Sequence, residues 1–140
     1  MTMTPFRAAI SVFESDPYWV PELQRQFLHS AVTVRECRSI GDLLPGLEVF
    51  DFELILLDFE SGPVEALAWL SAFVTKQVRR IPIIICGSSD TRELEWMLRE
   101  AGVSAFLPDR VSGEDLARLC RRLLGVKRLS GRHDASPIGA

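Results

Sequence analysis

The sequence predicts a doubly wound α/β domain on a five-stranded parallel sheet, and three observations carry that prediction. Apolar runs rich in β-branched residues recur at 8–13, 32–37, 54–57 and 81–86, with a weaker fifth at 105–107. Stretches with helical spacing follow them, clearest at 64–77, 91–101 and 114–124. The strands are apolar throughout rather than alternating, which is the pattern of a sheet covered on both faces by right-handed crossovers.

The punctuation between these runs fits the same order. Asp16-Pro17 opens the first helix, whose start falls between Pro17 and Val20 because Pro21 constrains it. The second helical segment, 40–49, contains Pro45-Gly46 and is expected to form only a turn or two. Gly62-Pro63 places proline where a first helical turn accepts it. Asp90 with Glu93, and Ser112 with Asp115, have the spacing of a capping box at the starts of the last two helices.

Length and composition bound the rest. A chain of 140 residues with 47% apolar and 25% charged residues suffices for one core. A net charge of −3 argues against a general nucleic-acid or membrane-surface binder. No apolar run approaches the roughly 18 residues of a spanning helix, and the first residues lack a signal-peptide pattern, so a cytoplasmic protein is expected. Cys37, Cys86 and Cys120 have no CxxC spacing and only His29 and His133 to assist them, so they read as core thiols.

In a doubly wound sheet, binding groups collect where strands end at their carboxyl termini, near the point at which strand order reverses. Those positions are Glu14, Ser15 and Asp16 after the first strand, and Asp58 and Glu60 after the third. Gly87 and Ser88 follow the fourth, and Pro108, Asp109 and Arg110 the fifth.

Four segments at these positions, FESDP, LILLD, IPIIICGSS and AGVSAFLPD, resemble the receiver domain of two-component response regulators over residues 6–125. The resemblance implies a flavodoxin-like fold of strand order 2-1-3-4-5, a receiver-like domain at 1–125, and a tail or linker at 126–140. It also implies that Asp58 is the phosphoacceptor for a histidine kinase. Receivers surround that aspartate with two acids holding magnesium, a Ser or Thr hydroxyl after strand four and a lysine after strand five, because phosphoryl transfer relies on cations and donors aimed at the phosphoryl oxygens.

This chain departs at three of these features. The acid pair is Glu14-Ser15, which leaves one carboxylate for a metal that prefers hard charged oxygens, so a weak magnesium site of Glu14 and Asp58 is expected, with Glu60 either joining it or turned to solvent. Asp16, an extra acid, is expected to cap the first helix. The hydroxyl position is Gly87, and Ser88 or Ser89 substitutes only if the loop shifts. The lysine position is Asp109, where an anion about 6 Å from a phosphoryl group repels it by about 3 kcal/mol per unit charge at an effective dielectric of about 20. Glu14, Asp58 and Asp109, with or without Glu60, are expected to converge as acids without a lysine.

Three functions are compatible with this pattern. The first is a degenerate receiver acting through protein–protein contact without magnesium-dependent phosphorylation. A second is a working phosphoacceptor at Asp58 with an altered metal site; a third is a nucleotide- or flavin-binding enzyme on the same fold. The last is disfavoured by the absence of a glycine-rich phosphate loop or a nucleophile elbow, and no enzyme activity beyond self-phosphorylation and dephosphorylation at Asp58 is expected. For partners, the resemblance implies a histidine kinase or another signalling protein, a homodimer through the helix 4, strand 5, helix 5 face, and an effector domain beyond residue 140. On that face the stripe Leu94, Met97, Leu98 and Ala101 points inward and leaves Trp96 outward as an anchor or lying flat on its own domain, with Arg118, Arg121 and Arg122 nearby. Phe106 is either the family's aromatic switch or a core residue. Tyr18 and Trp19 either roof the pocket or pack into the core.

Overall fold

The computed structural model describes residues 7–43, 52–76 and 81–125. Five parallel strands, β1 (Ala8–Phe13), β2 (Val32–Cys37), β3 (Phe52–Asp58), β4 (Ile83–Cys86) and β5 (Ala105–Leu107), form one sheet of order β2-β1-β3-β4-β5. Order reverses between β1 and β3, whose register sets Phe13 beside Leu57. Asp58 in turn lies beside Cys86, and Cys86 beside Leu107. The carboxyl ends of four strands therefore open onto one place.

Side-chain alternation along the strands divides the core into two layers. Leu54 and Leu56 of β3 join Ile10, Val12 and Ile84 under helices α1 (Trp19–Gln26) and α4 (Gly113–Leu124), with Trp19, Leu23, Leu116 and Cys120. Ile55 and Leu57 face the opposite side, with Ile83, Ile85, Leu70 of α2 (Pro63–Lys76) and Leu98 of α3 (Glu95–Glu100). Burial on both faces explains why the central strands read as continuous apolar runs. The edge strand β2, by contrast, carries Arg35 and Glu36 at partly exposed positions, where charge discourages pairing with another chain.

Some boundaries differ from expectation. β3 extends to both sides of 54–57. β4 begins at Ile83 rather than Ile81, because Pro82 has no N–H for the ladder, although its carbonyl accepts the Ile55 N–H at 3.0 Å. The second helical segment is a 3-10 turn at Ile40–Asp42, and the remainder of 40–49 lies outside the described residues except Leu43.

Segment 91–101 splits into a 3-10 turn, Ser89–Leu94, and then α3. Its cap is Ser88 rather than Asp90: Ser88 Oγ accepts the Asp90 N–H at 3.2 Å, and Thr91 Oγ1 accepts the Ser88 N–H at 2.9 Å. Ser112 caps α4 as its spacing predicts, accepting the Asp115 N–H at 3.0 Å, and Gly125 closes that helix at φ 69°, a left-handed conformation suited to glycine.

Candidate functional site

The acid after β1 is committed to the helix that follows it. Glu14 is 1% exposed, and its carboxylate accepts the backbone N–H groups of Tyr18 at 3.1 Å, Trp19 at 3.0 Å and Val20 at 2.9 Å. These are the donors that a helix leaves unsatisfied at its start, and they suit an anion. α1 has no side-chain cap from its own N-cap residue, Tyr18. The capping role expected of Asp16 thus belongs to Glu14, which directly follows the buried strand β1.

Asp58, half-buried at the end of β3, has a different partner. Ser61 Oγ donates to Asp58 Oδ2 at 2.8 Å and accepts both the Ser15 N–H at 2.9 Å and the Ser15 hydroxyl at 3.1 Å. Glu60 is likewise engaged, accepting from Ser88 Oγ at 3.1 Å. Each of the three carboxylates expected at the metal therefore accepts hydrogen bonds from this chain's own hydroxyl or amide groups. Among the described residues, no three His, Cys, Asp or Glu side chains assemble in a metal-holding group. The expected convergence forms only in part: Glu14 faces α1, whereas Asp58, Glu60 and the exposed Asp109 line one cleft.

A cleft of about 270 Å³ opens above Asp58, with Trp19, Cys86 and Gly87 in its walls and Glu60, Ser88, Asp109 and Arg110 among its other lining residues. Trp19 is 2% exposed and meets Tyr18 edge-on at 4.7 Å between ring centroids, so it both packs in the core and lines the cleft. Arg110 stacks over the Tyr18 ring at 3.9 Å and supplies the cleft's guanidinium. Burial pushes the Cys86 thiol well above its ordinary pKa, and Asp58, Cys120 and Glu14 add to that effect while Arg110 opposes it. A thiol so held is protonated and inert at neutral pH.

No family model and no curated protein matches the chain. Solved structures do match. The N-terminal signal receiver domain of a response regulator from Bacteroides fragilis superposes with a TM-score of 0.65 at 20% identity, covering 94% of this chain and 99% of that one. A two-component response regulator from Clostridium difficile gives 0.69 at 12% identity, covering 85% and 97%. The signal receiver domain of a histidine kinase from Syntrophus aciditrophicus gives 0.66 at 24% identity, covering 86% and 92%.

This chain has the response-regulator receiver fold.

Within the receiver fold, the position after β4 leaves no room for a side chain. A Cβ added to Gly87 would lie 2.9 Å from Phe106 Cζ and 2.5 Å from Thr91 Oγ1, closer than side chains approach. Phe106 is 4% exposed and belongs to the core layer under α2 and α3. The ring thus occupies the space that a side chain at 87 would need, and Ser88 turns away to cap the following turn and to meet Glu60.

Trp96, 74% exposed, stands outward as its helical phase predicts. Met97 departs from prediction and is 45% exposed, since the preceding 3-10 turn advances three residues per turn and shifts the phase of the stripe. Arg121 is engaged inside the domain, donating to the Gln26 carbonyl at 3.1 Å and lying 4.9 Å over the Phe27 ring at the end of α1. Arg118 pairs with Asp115 at 2.8 Å.

Sequence reasoning passed over Ser61 and the role of Ser15. The available signal was weak: a serine three residues after a strand-end aspartate, in a short turn (Phe59–Ser61) that brings its hydroxyl back toward that carboxylate. Among the described residues, no helix is long and apolar enough to cross a membrane.

Proposed function

We propose that this receiver fold is a protein-binding signalling module whose Asp58 cleft operates without magnesium-dependent phosphorylation. The observation that carries the reading is the Glu14 carboxylate, turned onto three N–H groups of α1 instead of toward Asp58. Three further features support it. Asp58 Oδ2 already accepts from Ser61, Gly87 leaves no side-chain hydroxyl where Phe106 packs, and an anion, Asp109, stands where a lysine would attract phosphoryl oxygens. The donor set fits magnesium poorly, since that ion demands near-ideal octahedral geometry from ligands free to turn toward it.

Its partner in this reading is a histidine kinase or another signalling protein, met in the cytoplasm. Trp96 and Met97 are the exposed apolar groups of the α3, β5, α4 face, which is the surface proposed for such a partner or for a second copy. Residues 1–125 act as the domain in this reading, and 126–140 as a tail or linker. No catalytic activity on a separate substrate is part of this function.

The alternative, Asp58 as a phosphoacceptor, draws on one observation: the carboxylate lines an open cleft that also holds the Arg110 guanidinium. Fluorescence of Trp19 separates the two when Trp69 and Trp96 are replaced by phenylalanine. Titration with magnesium and then beryllofluoride leaves the emission unchanged if the cleft takes no metal. A saturable change at millimolar metal, lost in Asp58→Asn, would instead establish the phosphoacceptor.

A further inference from the structure

Ser61 Oγ has one proton and two lone pairs, and all three are assigned by its neighbours. An ionised Asp58 carboxylate only accepts, so the Ser61 proton points to Oδ2 at 2.8 Å. The Ser15 backbone N–H only donates, at 2.9 Å, and takes one lone pair. The remaining contact, 3.1 Å between the two hydroxyls, must then run from Ser15 Oγ to Ser61 Oγ. The result is a chain of fixed direction from the loop after β1, through Ser61, to the end of β3.

We infer that Ser61 is a relay: its hydroxyl couples Asp58 to Ser15, so that whatever engages Asp58 Oδ2 is felt in the loop that leads into α1. The physical cause is polarisation. A hydroxyl whose proton is drawn toward a carboxylate carries more electron density on oxygen and is a stronger acceptor for its other partners. Loss of the carboxylate, or its capture by a cation or a partner's donor, weakens the Ser15 N–H bond, because Ser61 Oγ joins Asp58 to Ser15. It also frees the Ser61 proton to turn back toward Ser15 Oγ, reversing the direction of the chain. Ser15 lies four residues from Trp19 of the cleft wall, in the same loop that carries Glu14 and Tyr18. A ligand at Asp58 would thereby alter the surface on which Arg110 stacks.

The inference rests on reading the Asp58 cleft as a binding site, but its test needs no partner and can fail independently of that reading. Amide hydrogen exchange of Ser15 is compared in the whole chain and in the variants Ser61→Ala, Ser61→Thr and Asp58→Ala. Protection of the Ser15 amide is expected to fall several-fold in Ser61→Ala and to return in Ser61→Thr, which restores the hydroxyl. Asp58→Ala is also expected to lower it, and to have no further effect once Ser61 is alanine. Unchanged Ser15 exchange in Asp58→Ala, or independent effects of the two substitutions, would overturn the relay. Because Asp58→Ala leaves Ser61 in place, the comparison holds even if Ser61→Ala proves unstable.

Discussion

Glu14 accepts the Trp19 N–H at 3.0 Å, which makes a strand-end acid the cap of the next helix and places the Trp19 indole in the wall of the Asp58 cleft. One hydrogen bond therefore joins the stability of α1 to the shape of the site. Glu14→Ala leaves buried amides without an acceptor, and urea denaturation is expected to show a loss of about 2–3 kcal/mol. Glu14→Gln keeps one acceptor oxygen and should cost less. A Glu14→Ala variant as stable as the native chain would show that the carboxylate is not the cap.

Gly87→Ser tests the contact between the β4 end and Phe106. The added Cβ meets the ring at 2.9 Å, so overpacking is expected to cost about 1–3 kcal/mol by denaturant midpoint. In a Phe106→Leu background the same substitution should cost less, since the smaller side chain yields space, and the non-additivity measures the coupling.

The buried thiols predict an alkaline limit to stability. Burial pushes the Cys120 pKa up to about 12 from an ordinary 9.0. The folded chain thus holds the proton that the unfolded chain releases, so this contribution is full below pH 9.0 and is lost as pH rises toward about 12. Urea midpoints of the native chain should fall across that window, and Cys120→Ala should flatten the slope. The Cys86 thiol, raised in the same direction chiefly by burial, adds to the decline.

Legibility in the sequence followed the length scale of the interaction. β1, β2 and β5 are found where their apolar runs stand; in β1, burial on both faces leaves a continuous signal in the chain itself, whereas the edge strand β2 is buried only at its ends. The approach of Phe106 to Gly87 was not legible, since it joins a residue of β5 to the loop after β4 through ring packing that no spacing records. The contacts of Glu14 to α1 were not legible either, because a strand-end acid looks the same in sequence whether it faces a cation or a helix terminus, and those contacts depend on where α1 begins. Ser61 escaped notice for a related reason: its importance lies in two partners, Ser15 and Asp58, of which one is far away in sequence.

The proposed function requires that Asp58 receive no phosphoryl group by the magnesium-dependent route. Incubation of the whole chain with a small-molecule phosphodonor and magnesium, followed by intact mass measurement, tests it directly. The mass is expected to remain unchanged. A gain of one phosphoryl group that disappears in Asp58→Asn would contradict it.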